Sequence, residues 1–215
     1  MPAINVAQVF IGFVVLLFSL TVHESAHAWT ADRLGDPTAR LLGRVSLNPM
    51  VHADLIGTVI FPLLSMIASP VPLIGWAKPV PVNIRRLRRQ RADYVLVAAA
   101  GPASNLLLAV LASAALALVP ASRIALADTD LSSPIISLLT RALLTNVMLA
   151  VFNLLPIPPL DGGNVLGGLL PQPIAARYDA LLRPYGFIIL YAIMLTRAFD
   201  YVVVAPARLL LSWLT

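Results

Sequence analysis

Three residues near the end of the first apolar stretch, His23, Glu24 and His27, have the types and the spacing that metal-dependent hydrolysis requires. They form the pattern H-E-x-x-H. On a helix its first and fifth positions share a face, so both imidazoles can bind one metal ion. The carboxylate between them can then act as a general base toward water at that metal. Ionisable groups are costly in an apolar helix, which favours a functional site over two core histidines and a buried acid.

A catalytic zinc site needs a third protein ligand and an open position for water. Glu24 is the only glutamate, and Thr30 and Arg33 occupy the positions of the metzincin extension, so the third ligand is an aspartate or His52. Asp161 has the most unusual setting, because it follows a proline-rich break and precedes two glycines. The residues alone leave a metal ligand and a turn cap as interpretations of Asp161. Two histidines and a carboxylate suit Zn²⁺.

The composition indicates a membrane protein. Of the 215 residues, 59% are hydrophobic and 12% are charged, against about 25% charged in ordinary soluble domains. The mean hydropathy is +0.87. The absence of cysteine excludes disulfides, thiolate catalysis and cysteine-bound zinc. The net charge of +5 comes from arginines between the apolar runs, which favours membrane orientation and disfavours nucleic-acid binding.

Four apolar runs approach the length of about 20 residues that a spanning helix needs. They cover residues 4–29, 55–74, 94–119 and 134–155, and further apolar stretches at 185–195 and 201–214 cross once or form two short elements. The first run lacks a basic start and is too long for a signal peptide. The sequence predicts an all-α integral membrane protein, a polytopic helix bundle forming a single domain over residues 1–215. Residues 39–47 around Gly43 predict a short β-hairpin at the membrane edge.

The metal site restricts the topology. His23 and His27 lie near the end of the first run and Asp161 just after the fourth, so both ends must reach the same side of the membrane. Four complete crossings would place them on opposite sides. Residues 55–74 contain three prolines, and we therefore expect this run to be a re-entrant segment.

The basic residues agree with that topology. Nine of them fall in the two connections that follow the first and second runs, and the opposite loop contains only Arg123. Arg177 and Arg183 join the basic side. The positive-inside rule then places the N-terminus outside and the active site near the cytoplasmic face.

HESAH together with FNLLPIPPLDGG (residues 152–163) resembles the site-2 proteases, zinc metalloproteases that cut within or beside transmembrane segments. NPMVHADLIG (48–57), GWAKPVPVN (75–83) and GPASN (101–105) resemble patterns of the compact prokaryotic branch, which has no PDZ or CBS domain. The resemblance covers most of the chain, and the two metal motifs are its most specific part.

The resemblance implies a role for each matching residue. His23, His27 and Asp161 would be the zinc ligands and Glu24 the general base. Asn153 would bind substrate or stabilise the oxyanion, which a fixed amide donor can do. His52 and Asp54 match the family pattern without a role that we can assign.

The sequence therefore predicts an intramembrane zinc metalloendopeptidase that acts in regulated intramembrane proteolysis. The expected partners are a transmembrane protein substrate and the lipid bilayer, with no nucleic acid. The expected location is a prokaryotic cytoplasmic membrane, crossed several times. The alternative is a metal-binding membrane protein or transporter without protease activity.

Overall fold

The computed structural model describes residues 6–67, 75–120 and 134–215, and all regular structure within them is helical. In chain order the α-helices are α1 (Val6–Arg33), α2 (Thr38–Leu41), α3 (Phe61–Ile67), α4 (Gln90–Ala117), α5 (Pro134–Asn153), α6 (Asp161–Leu169), α7 (Gln172–Leu182), α8 (Gly186–Leu195) and α9 (Ala205–Leu214). Short 3₁₀ turns cover Pro49–Val51 and Ile84–Arg86, and π-helical turns cover Leu55–Ile60 and Asp200–Val204.

Three of the described helices, α1, α4 and α5, are long and apolar enough to cross a membrane. Helices α7 and α8 meet at a bend of 63° and together meet the same criterion, as a broken span or a re-entrant loop. The chain is thus a multi-pass membrane protein built from helices, which confirms the all-helical part of the prediction.

Helix α4 lies at the centre of the bundle and packs against α1, α5 and α6. Its small residues Ala109 and Ala112 are buried in an apolar core against α5 and the C-terminal helices. Small side chains let helix backbones approach closely, which is how helices associate in lipid. This close packing brings the metal motif on α1 and the start of α6 to the same central helix.

The predicted β-hairpin at residues 39–47 is wrong. The segment instead contains α2. At the end of this helix the Arg44 N–H donates to the Ala39 carbonyl and the Gly43 N–H donates to the Arg40 carbonyl. Gly43 has φ +68°, the left-handed conformation that such a helix C-terminus requires. A glycine between short apolar pairs serves a hairpin turn and a helix end equally well, so the pattern did not distinguish them.

The segment predicted to be re-entrant begins with the π turn at Leu55–Ile60 and continues as α3; residues 68–74 lie outside the described part. Its described apolar helix, Leu55–Leu64, has 10 residues, and such a helix is about 15 Å long, half the thickness of the bilayer core. Leu55 is 70% exposed. This helix alone is too short to span.

The turn between α5 and α6 places Asp161 at the first position of α6. The two glycines after it are buried against the backbone of that turn. A Cβ on Gly162 would lie 2.2 Å from the Leu154 carbonyl oxygen, and a Cβ on Gly163 would lie 2.4 Å from the Pro158 nitrogen. The side chain of Arg91 secures the other end of α6 through the carbonyls of Gly167 and Leu170.

We expect Gly163→Ala to lower the free energy of unfolding by about 1–3 kcal/mol, because backbone cannot yield to the added methyl group. The matched control is Gly167→Ala in the same helix, where the nearest atom would be Tyr178 Cε1 at 3.6 Å. That variant should be neutral or stabilising by about 0.5–1 kcal/mol. Thermal unfolding in detergent measures both, and equal midpoints for the two variants would contradict the prediction.

Candidate metal centre

Helix α1 presents His23 and His27 from one buried face, one turn apart. Their rings meet edge to face with centroids 4.7 Å apart, and their Nε2 atoms are separated by 3.1 Å. The i, i+4 spacing therefore brings the two imidazole nitrogens close enough to share one ion.

Asp161 completes the group. Its Oδ2 lies 3.0 Å from His23 Nε2 and 3.3 Å from His27 Nε2. One ligand atom from each of the three residues falls within a distance of 4.8 Å of the others. The structure thus brings together the three residues that the sequence singled out as candidate ligands.

The Nδ1 atoms of both imidazoles are hydrogen-bonded to α4. His23 Nδ1 lies 2.6 Å from Asn105 Oδ1, and His27 Nδ1 lies 2.7 Å from the Val97 carbonyl oxygen. Both partners are acceptors, so each Nδ1 carries the proton and each Nε2 points a lone pair toward Asp161. Such bonds fix the tautomer and ring orientation of metal-binding histidines.

These donors fit a divalent cation. Asp161 Oδ2 is buried and receives no hydrogen bond from the described residues, although two imidazole nitrogens face it. A carboxylate and two lone pairs that converge without a donor repel one another unless a cation lies between them.

Gly101 of α4 leaves the space in front of the imidazoles open. A Cβ at this position would lie 2.4 Å from His27 Nε2 and 2.5 Å from His23 Nε2. Val97, Gly101 and Asn105 follow one another at intervals of four and so form a single stripe on α4 that faces the two rings.

Glu24 lies beside this group, and its Oε2 accepts a hydrogen bond of 3.1 Å from the Val80 N–H. Val80 belongs to a segment without helix or strand, and the prolines on either side of it, Pro79 and Pro81, have no N–H to donate. The only glutamate of the chain is therefore held next to the metal motif by a single backbone donor from this tripeptide.

His23, Glu24, His27 and Asp161 line one cavity of about 380 Å³ together with Asn153, the last residue of α5. Asn153 donates one amide N–H to the Leu149 carbonyl, at 3.0 Å. The cavity is large enough for a short peptide segment beside the metal group.

His52 and Asp54 are bonded elsewhere. His52 Nε2 lies 2.8 Å from the Ser46 carbonyl oxygen, and Asp54 accepts from the Ile56 and Gly57 N–H groups at the start of the π turn. His52 is absent from the metal-type group found among the described residues. The histidine alternative for the third ligand thus loses its geometric basis.

Sequence reasoning missed several residues of the site. It gave no role to Gly101 and Asn105, although a glycine and an asparagine four positions apart in an apolar span are a readable signal. It also missed Asn164, which lines the cavity and has a buried Oδ1 without a hydrogen-bond partner. Val80 acts through its backbone, and its residue type carries no signal.

Comparisons with known proteins show which family the chain resembles. The family model of peptidase family M50 matches residues 120–193. The chain is 37% identical over 189 residues to YwhC, a predicted zinc metalloprotease of Bacillus subtilis, covering 88% of this chain and 82% of YwhC. It is 31% identical over 185 residues to Rip2, a predicted zinc metalloprotease of Mycolicibacterium smegmatis, covering 86% of this chain and 66% of Rip2. No solved structure matches the chain.

A multi-pass helical bundle with two histidines and an aspartate around one point, together with these relatives, indicates a membrane metallopeptidase. The chain belongs to peptidase family M50, the site-2 proteases. It is a zinc metalloprotease of the membrane, as the family predicted from the sequence implies.

Gly101→Ala should reduce the zinc bound by the purified protein well below the wild-type level, because the added methyl group would occupy the space next to both Nε2 atoms. Zinc per chain is measured by plasma mass spectrometry on detergent-purified protein. Gly167→Ala, another glycine-to-alanine change within a helix, is the control and should retain zinc. Full zinc occupancy in Gly101→Ala would show that the open space is not needed.

Proposed function

We propose that the protein is an intramembrane endopeptidase that hydrolyses peptide bonds within or beside transmembrane segments of membrane-protein substrates. His23, His27 and Asp161 hold the zinc ion in this proposal. The observation that carries it is the approach of Asp161 Oδ2 to both imidazole Nε2 atoms, at 3.0 and 3.3 Å. Membership in a family of membrane metallopeptidases supports it.

Zinc, when bound, supplies Lewis acidity and makes water a nucleophile near neutral pH. Glu24 acts as the general base: it takes the proton of the attacking water and later passes it to the leaving amine. The Val80 N–H holds one carboxylate oxygen of Glu24 at 3.1 Å, which leaves the other oxygen for the proton transfer. The base is thereby oriented without a second charged side chain.

Asn153 binds the substrate in this proposal. It lines the metal cavity, and its amide has a second N–H besides the one given to the Leu149 carbonyl. An amide donor of this kind can stabilise the carbonyl oxygen as negative charge develops on it. Asn153 also ends α5, so the turn that carries Asp161 fixes its position.

The depth of the site favours membrane-embedded substrates. His23 lies ten residues before Arg33, the last residue of α1, which corresponds to about 15 Å along the helix. The metal group thus belongs to a membrane-spanning helix and still lies within reach of one membrane face. A substrate span that unwinds near that face can enter the cavity, and water has a short path to it.

The topology follows from three alternating spans. If α1, α4 and α5 each cross once, the C-terminal ends of α1 and α5 lie on the same side, where the metal residues meet. The arginine-rich turn before α4 lies on that side too. By the positive-inside rule this side is cytoplasmic. The residue 55–74 segment is then re-entrant, and residues 1–215 act as one domain in a prokaryotic cell membrane.

The alternative from the sequence, a metal-binding membrane protein or transporter without protease activity, is disfavoured by membership in peptidase family M50. Such a protein has no use for Glu24, which is placed beside the metal group without belonging to it. The behaviour of Glu24 variants therefore separates the two functions.

Glu24→Gln should keep bound zinc and lose at least about 10²-fold in cleavage rate, because the amide cannot take up a proton. Asp161→Ala should lose both zinc and cleavage. The measurements are zinc per chain and the cleavage of single-span reporter proteins in lipid nanodiscs. Wild-type protein with zinc but without cleavage of any reporter would favour the metal-binding alternative. Cleavage by Glu24→Gln at the wild-type rate would remove Glu24 from the mechanism.

The absence of cysteine makes the topology directly testable by single-cysteine labelling. Gln90→Cys and Leu118→Cys place a thiol at the two exposed ends of α4. We expect a membrane-impermeant maleimide to label Leu118→Cys in intact cells and Gln90→Cys only in inverted vesicles. Unmodified protein is the blank, and the reverse labelling pattern would contradict the cytoplasmic position of the site.

A further inference from the structure

Two asparagines are buried inside the membrane-spanning part of the bundle. Asn105 on α4 is 0% exposed and Asn146 on α5 is 2% exposed. Polar side chains at such positions are costly unless they are hydrogen-bonded, and in a membrane protein they indicate function. The catalytic steps described above do not use either residue.

The two side chains form a chain of hydrogen bonds that ends at the metal group. Asn146 Nδ2 donates to the Ala142 carbonyl at 2.8 Å, and Asn105 Nδ2 donates to Asn146 Oδ1 at 2.8 Å. Asn105 Oδ1 in turn lies 2.6 Å from His23 Nδ1. This chain of hydrogen bonds links α5 to α4 and α4 to α1 through side chains that water does not reach.

The donors and acceptors in this chain of hydrogen bonds can be arranged in only one direction. The Ala142 carbonyl can only accept, so the amide nitrogen of Asn146 must face it and the oxygen must face Asn105. Asn105 then has to present its nitrogen to Asn146, where the Ser19 carbonyl lies 3.4 Å away as a further acceptor. Its oxygen is left for His23. Reversing both amides would set oxygen against oxygen at these two carbonyls.

We propose that Asn105 and Asn146 are positioning residues that fix the tautomer and orientation of His23 for zinc. The chain of hydrogen bonds from Ala142 through Asn146 and Asn105, here called the relay, forces the proton of His23 onto Nδ1. The lone pair of Nε2 is then left for the metal. The inference rests on the proposed role of His23 as a ligand. Neither asparagine touches zinc or substrate; both act through the His23 ring.

The alternative is that the asparagines only hold the three helices together, as polar side chains in membrane proteins often do. The two roles differ in what they change. A helix contact supports the stability of the metal-free protein, whereas the relay also sets the affinity for zinc. The test therefore compares zinc affinity with the thermal stability of the metal-free protein in the same variants.

Asn105→Leu removes the acceptor for His23 and Asn146→Leu removes the group that orients Asn105. Asn146→Asp keeps the relay, because an apolar interior favours the protonated carboxyl. Its O–H can donate to the Ala142 carbonyl and its C=O can accept from Asn105. Thr21→Val is the control: it deletes a buried hydrogen bond of α1, to the Leu17 carbonyl at 2.7 Å, that does not contact His23.

Chelator competition on the detergent-purified full chain measures the zinc dissociation constant of each protein. We expect Asn105→Leu to weaken zinc binding by about 10- to 100-fold, and Asn146→Leu to weaken it less. Asn146→Asp and Thr21→Val should stay within about threefold of wild type, well short of that loss. This order should hold even where Thr21→Val lowers the metal-free melting temperature as much as the relay variants do.

Two results would overturn the relay while leaving the proposed function intact: wild-type affinity in Asn105→Leu, or an equal loss of affinity in Asn146→Leu and Asn146→Asp. The second comparison does not need Asn105→Leu to fold. A wild-type protein that is folded and binds no zinc would refute the proposed function and the relay together.

Discussion

The convergence of two imidazole nitrogens and a carboxylate oxygen from distant parts of the chain is the constraint on which the rest of the structure depends. Three acceptors within 3.0–3.3 Å of one another repel without a cation, so in the proposed zinc site the ion also joins α1 to α6. Because metal binding and folding are coupled in such a site, the free energy of zinc binding also contributes to the association of these helices. The position of the site then restricts the topology, since the ends of α1 and α5 must lie together.

Helix α4 gives this centre its geometry. The three residues of its stripe supply three different things: Val97 a backbone acceptor, Gly101 an empty space and Asn105 a side-chain acceptor. All three face the rings of α1 because they recur every four residues on one helix. The same helix packs on α5 and α6. A helix that contributes no residue to the metal-type group thus determines where the two histidine rings point.

Much of this arrangement could be read from the sequence because it depends on residue types. HESAH, the aspartate before two glycines and the three apolar spans each carry a local signal, and the need for one metal site led to the proposed topology. The hairpin prediction failed because Gly43 has the same left-handed conformation at the end of a helix as in a hairpin turn. The donation from Val80 to Glu24 was out of reach, since any residue except proline has an N–H.

The three supporting motifs of the sequence all connect to the residues that line the metal cavity. GPASN contacts the imidazoles, and GWAKPVPVN contacts Glu24 through Val80. NPMVHADLIG in turn holds GWAKPVPVN, because the His52 carbonyl accepts from the Lys78 N–H at 2.8 Å and the Gly57 carbonyl accepts from the Trp76 N–H at 3.0 Å. A Cβ on Gly57 would lie 2.4 Å from the Trp76 ring, so this contact requires glycine. The backbone of His52 therefore supports the segment that contacts Glu24, whereas its imidazole Nε2 lies 2.8 Å from the Ser46 carbonyl oxygen and 3.3 Å from Ser25 Oγ.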